Sequence, residues 1–171
     1  MNYTDVDYEK YMRACVELAE RGYGSGIKLP HVGAVIVNDD KIVAEGYRKF
    51  VDGTRFTVHA ERDALDNAEG LITQESLLVT TLEPCAARAK DRREVFTPCA
   101  EMIVERGIRN VVFGFYDNSK NMRSGLGVQY LKHHGIYVVQ YKKLNYEIAE
   151  HLMCQSSRDE YFNVPQRRAN K

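Results

Sequence analysis

The sequence carries no excess of charge of either sign, because 24 Lys and Arg residues stand against 24 Asp and Glu. That balance argues against a broad nucleic-acid or membrane surface and leaves room only for a local basic patch. Long hydrophobic runs are absent too, and no stretch approaches the roughly 20 apolar residues that a membrane-spanning helix needs. The opening MNYTDVDYEK has none of the layout of a secretory leader, so the expected home is the cytoplasm or another reducing compartment. Cysteine is scarce, and Cys15, Cys85, Cys99 and Cys154 are too few and too scattered for a disulfide framework. There is no linker, internal repeat or low-complexity tract. The 171 residues therefore read as one domain, residues 1–171, of a size that needs no staple to fold.

What is present is an alternation of helical and strand patterns. Tyr8, Tyr11, Met12, Cys15, Leu18 and Ala19 recur at helical spacing before Gly22. Residues 32–37 and 41–47 read as a hairpin around Asn38-Asp39-Asp40, followed by a polar loop over 51–57. Further helices are expected over 60–68, 98–106, 128–133 and 145 to about 162, and further strands over 76–81, 109–115 and 136–141. Residues 82–97 are expected as a long loop, and VPQRRANK as a frayed tail. An antiparallel hairpin followed by alternating strands and helices predicts an α/β fold with a mixed five-stranded sheet covered by helices on both faces. Cys15 and Cys154 both fall on apolar helical faces and read as buried small hydrophobes.

Cys85 and Cys99 differ, because each directly follows a proline in a loop-like setting. With His59 they make a His/Cys/Cys set, and zinc (Zn2+) is satisfied by imidazole nitrogen and thiolate sulfur. A catalytic zinc takes three protein ligands and leaves one position open, whereas a closed structural site would need a fourth Cys or His. None follows at finger-like spacing, and His133, His134 and His151 read as structural or surface residues. Glu61, two residues beyond His59, lies close enough to the metal to handle a proton without binding it. H-x-E with P-C-x-x-C is the pattern of zinc deaminases, in which water attacks the ring carbon bearing an exocyclic amine and the Glu shuttles the proton; the first half is matched here and the second half is stretched. The expected activity is hydrolytic release of ammonia from a cyclic amidine.

The stretches VGAVIV, HAERDAL, TLEPC and TPCAEMIVERGIRNVVFG resemble the cytidine deaminase-like superfamily, and within it the pyrimidine deaminase branch of riboflavin biosynthesis. The resemblance covers nearly the whole chain. It implies a three-layer α/β/α fold, one zinc, and a homodimer or higher homo-oligomer. By position it makes His59, Cys85 and Cys99 the ligands and Glu61 the acid/base. It brings the Ala60 N–H to the substrate and sets His31, Arg48 and Lys49 where the family lines its pocket. Leu29 stands where the riboflavin enzymes usually carry an asparagine, and the segment between the two cysteines is longer than theirs.

That segment carries Arg88, Lys90, Arg92 and Arg93, which would suit a substrate phosphate. The expected substrate is thus a small aminated heterocycle, a riboflavin-pathway-type intermediate or a nucleotide. Two alternatives remain beside it. One is a base deaminase on tRNA or single-stranded DNA, using the same cations with Phe96 and the tail residues Arg167, Arg168 and Lys171. The other is a catalytically silent binding subunit, against which the intact Glu61 speaks.

Overall fold

The structure, a computed structural model, describes residues 5–23, 26–54, 56–86, 97–117, 124–154 and 157–158. Helix α1 spans Asp5–Glu20 and buries Tyr11, Met12, Cys15, Leu18 and Ala19, the face that the helical spacing predicts. Strands β1 (Gly33–Asn38) and β2 (Lys41–Tyr47) form the expected hairpin, with Asp39 and Asp40 both at positive φ in its turn. Strand β1 is buried along almost its full length, as befits a strand covered on both faces.

A short two-stranded ladder follows, β3 (Lys49–Phe50) against β4 (Thr57–Val58), which brackets the expected 51–57 loop and takes in its last residue. It leads into helix α2 (Ala60–Asn67). Strand β5 (Leu77–Leu82), helix α3 (Cys99–Glu105), strand β6 (Asn110–Phe115), helix α4 (Leu126–His133) and strand β7 (Tyr137–Gln140) come next, and helix α5 (Asn145–Leu152) follows them. Helix α5 is shorter than the expected 145–162, because Met153 takes an extended backbone and ends it. Cys154 therefore does not sit on a buried helical face. It is exposed, with its sulfur 3.2 Å from the Ser157 hydroxyl.

The five-stranded sheet runs β2-β1-β5-β6-β7. Strands β2, β1 and β5 pair antiparallel in turn, while β5–β6 and β6–β7 are parallel. One face packs on α2, α3 and α4 through Ile36, Leu78, Val111, Leu65, Ile103 and Leu131. The other packs on α1 and α5 through Val35, Val79, Val112, Met12, Leu144 and Ile148. This is the expected α/β/α layering with a mixed sheet. No described helix is long and apolar enough to cross a membrane.

Two close approaches fix the end of the sheet where the conspicuous residues gather. A Cβ on Gly46 would run into the backbone of Ala60 and Ala64, so α2 lies directly on β2. A Cβ on Gly127 would run into the Pro84 carbonyl, so the first turn of α4 lies directly on the segment after β5. Glycine is required at both places because backbone meets backbone.

Candidate active site

His59 is the residue just before α2, in extended conformation at φ −78° and ψ 152°. The Asp63 N–H closes the first turn onto the His59 carbonyl at 3.0 Å. Glu61 and Asp63 place acidic groups in that turn, where the helix dipole favours them. Cys85 lies three residues past the end of β5. Pro98 immediately precedes α3, so Cys99 rather than Pro98 is the first helical residue. The two cysteine segments are joined by main-chain bonds: Ala100 N–H donates to the Cys85 carbonyl at 3.0 Å, and Cys99 N–H points at the Cys85 sulfur at 3.4 Å.

The chain thus brings together three candidate ligating residues separated by up to 40 positions in sequence. His59 Nδ1 stands 3.6 Å from Cys85 Sγ and 3.5 Å from Cys99 Sγ, and the ligand atoms all lie within 4.8 Å of one another. A tetrahedral zinc with Zn–N near 2.0 Å and Zn–S near 2.3 Å would set each nitrogen and sulfur about 3.6 Å apart. The donor types and their spacing fit that ion. Glu61 is 3% exposed and is not a member of this cluster of ligand atoms.

The electrostatics follow from crowding and burial. A hydrogen bond from the Cys99 thiol, reinforced by His59 and the Cys99 N–H, holds Cys85 well below the usual thiol range. Cys99, donating that bond and fully buried, is pushed the other way. Burial alone would lower His59, but the hydrogen bond and charge of Cys85 hold it above its ordinary value. Burial, with the Cys85 charge adding to it and His59 opposing it, pushes the Glu61 carboxyl up to about 7.

The residues expected around the pocket have varied settings. Ala60 is fully buried at the first position of α2, where a helix leaves its N–H without an intrahelical acceptor. The His31 ring is buried edge-on to Tyr23, at 5.1 Å between centroids, and the His31 main-chain N–H donates to the His151 carbonyl at 2.7 Å. This ring belongs to a small cluster with Tyr23 and His151 and not to the ligand set. Arg48 donates to the Pro30 and Lys28 carbonyls at 2.7 and 3.1 Å and lies near enough to oppose protonation of His59. Lys49 is ion-paired with Asp63 at 2.8 Å. Arg88, Lys90, Arg92, Arg93, Phe96, Arg167, Arg168 and Lys171 lie outside the described residues.

Three polar residues that the sequence reading passed over brace the site. Asp63 also accepts the Tyr47 N–H at 3.2 Å, tying the end of β2 to α2. Arg62 donates to the Thr97 carbonyl at 2.7 Å, tying α2 to the start of α3. Glu83, 4% exposed, accepts backbone N–H groups from the neighbourhood of α4. The available signal for Glu83 was a carboxylate lodged between an apolar strand and Pro84-Cys85, where a charge needs partners.

Comparison with known proteins gives concordant matches. The model of the cytidine and deoxycytidylate deaminase zinc-binding region matches residues 5–115. The riboflavin biosynthesis protein RibD of Actinobacillus pleuropneumoniae is 36% identical over 137 residues, covering 80% of this chain and 33% of that protein. The diaminohydroxyphosphoribosylamino-pyrimidine deaminase of Buchnera aphidicola (subsp. Schizaphis graminum) is 37% identical over 128 residues, 75% of this chain and 80% of that protein. A diaminohydroxyphosphoribosylaminopyrimidine deaminase/reductase structure from Thermotoga maritima superposes with a TM-score of 0.71 at 35% identity, covering 88% of this chain and 40% of that one. The chain spans about a third of the length of the RibD protein it matches.

Proposed function

The chain belongs to the cytidine and deoxycytidylate deaminase zinc-binding family, and from that premise we propose that it is a zinc-dependent hydrolytic deaminase of an aminated, phosphorylated pyrimidine of the riboflavin pathway. The observation that carries the reading is the convergence of His59, Cys85 and Cys99 at tetrahedral spacing, with Glu61 buried in the adjoining turn. In this reading the three residues hold one zinc, which when bound would lower the pKa of a water and so supply the nucleophile at neutral pH.

Glu61 then carries the protons. It takes one from the attacking water and delivers it to the ring nitrogen next to the carbon under attack. A second proton, lost by the hydroxyl just added to the ring carbon, goes through the same carboxyl to the exocyclic amine. The C–N bond breaks, a carbonyl forms in its place and ammonia leaves. A buried carboxyl in the turn that follows the His59 ligand is positioned for both halves of this task. In this reading the Ala60 N–H at the start of α2 orients an acceptor atom of the substrate. Arg48, through its bonds to the Lys28 and Pro30 carbonyls, shapes the pocket rim.

The named activity of the relatives supplies the substrate class, since it implies a phosphoribosyl group. Arg88, Lys90, Arg92 and Arg93, in the segment between the two cysteine ligands, are assigned to that phosphate. Assembly as a homodimer or higher homo-oligomer belongs to the same reading. The test is ammonia release by zinc-loaded protein from diaminohydroxyphosphoribosylaminopyrimidine, beside cytidine, deoxycytidylate, tRNA and single-stranded DNA. Release from the first supports the reading, and release only from nucleic acid overturns the substrate. Zinc-loaded protein inert on all of them would overturn the enzyme reading. Arg92→Ala with Arg93→Ala should raise KM on the phosphorylated pyrimidine, with little change in kcat and none on its dephosphorylated form.

A further inference from the structure

Glu83 is a buried carboxylate in the turn between β5 and Cys85, and both of its oxygens are occupied by main-chain donors. Oε2 accepts the Asp117 N–H at 3.2 Å and the Gly125 N–H at 2.9 Å, and Oε1 accepts the Val128 N–H at 3.1 Å. Asp117 follows β6, Gly125 caps α4, and Val128 lies in the first turn of α4. One side chain therefore joins the end of β6 to the start of α4, and satisfies a helix N-terminus whose N–H groups have no intrahelical acceptor. The Glu83 main chain is fixed as well, its N–H donating to the Phe115 carbonyl at 2.8 Å. The Gly127 backbone of the same turn also lies directly on the Pro84 carbonyl, so that Glu83 and Pro84 are both held against the start of α4.

We propose that Glu83 is a positioning residue for the metal ligand Cys85, holding the sulfur at its distance from His59 by anchoring the 83–85 segment to α4. The role rests on the zinc reading above and adds to it a residue that touches neither metal nor substrate. Groups that orient ligands in this way typically carry 10- to 100-fold in metal affinity. Glu83→Gln replaces one accepting oxygen by an amide NH2, which must then face a backbone N–H. Glu83→Asp keeps both oxygens but withdraws them by one carbon, so it cannot reach all three donors.

The experiment is competition for zinc between a chelator and the native protein, Glu83→Gln, Glu83→Asp and Ile148→Ala. Ile148 is fully buried on the opposite face of the sheet, and its variant reports what lost stability alone does to zinc binding. The expected result is zinc affinity reduced about 10- to 100-fold in Glu83→Gln, less in Glu83→Asp, and unchanged in Ile148→Ala. Should Glu83→Gln fail to fold, Glu83→Asp decides the matter by the same comparison. Native-like affinity in the Glu83 variants overturns the positioning role while leaving the zinc reading intact. An equal loss in Ile148→Ala also overturns it, since the effect would then be general. A native protein that takes up no zinc fails the earlier reading itself, which separates the two outcomes.

Discussion

The two faces of the sheet are built from the same residue types yet behave as different materials. On the α1/α5 face Cys15 is fully buried among Met12, Val35 and Val79, and its thiol donates to the Val79 carbonyl at 3.3 Å. Burial pushes that thiol far up, and it stays a small hydrophobe. On the α2/α3 face Cys85 and Cys99 meet each other and an imidazole at the starts of two helices, and one of them is pulled well below the thiol range. Side-chain identity is therefore not what separates a ligand from a core residue. The difference lies in which polar groups the backbone brings to within about 3.6 Å of the sulfur, and in the braces that hold them there.

The sharpest way to break this contrast is to remove one sulfur from each face. Cys85→Ser or Cys99→Ser should reduce zinc from about one per chain to a small fraction and abolish ammonia release. Cys15→Ser and Cys154→Ser should keep full occupancy by metal analysis of the purified proteins. Retention of zinc by Cys99→Ser would dissolve the distinction between the faces.

Next in size is the separation of metal from proton transfer within the α2 face. Glu61→Gln should keep fold and zinc while kcat falls by about 10²–10⁴, the range for lost general acid–base catalysis. Metal analysis beside steady-state kinetics checks it, and near-native turnover would move the proton route to another group. The opposite face should answer in stability instead. Ile148→Ala should cost about 2–5 kcal/mol in denaturant unfolding, through lost transfer energy and a cavity.

The smallest expected effect is a pH dependence from the α1/α5 side. Burial holds both His31 and His151 below the ordinary histidine value. Arg48 adds to this at His31 and Arg158 at His151, while Glu20 and Glu150 oppose it at His151. His151 also shares a 2.8 Å hydrogen bond with the Tyr23 hydroxyl. Because the folded state keeps these rings neutral, the unfolded chain binds more protons below about pH 6.5. Their contribution is complete above that value and is lost as pH falls towards the lowered folded values. Urea midpoints should drop between about pH 7.5 and 5.5, and the drop should shrink in His31→Gln.

Much of this was legible in the sequence because it depends on local pattern. The period of Tyr8 to Ala19, the VGAVIV run and the Asn38-Asp39-Asp40 turn specify their elements almost alone. The grouping of His59, Cys85 and Cys99 as candidate ligands was legible because each sits at an element boundary that the pattern marks. The β3–β4 ladder was not, since two residues a side give no alternation to detect. The end of α5 and the exposure of Cys154 were missed together, because the apolar spacing runs on past Leu152 while the backbone turns extended at Met153. Glu83 was passed over because its partners are main-chain N–H groups of another element, and no side-chain pattern records those.

The central claim is that His59, Cys85 and Cys99 alone hold a catalytic zinc, with Glu61 beside it and not on it. Zinc X-ray absorption on the purified protein tests this directly. The account predicts two sulfurs at about 2.3 Å, one imidazole nitrogen at about 2.0–2.1 Å and one light-atom ligand from solvent. It also predicts the same two-sulfur spectrum in Glu61→Gln. A sulfur count other than two, or a ligand shell that changes when Glu61 is replaced, would contradict it.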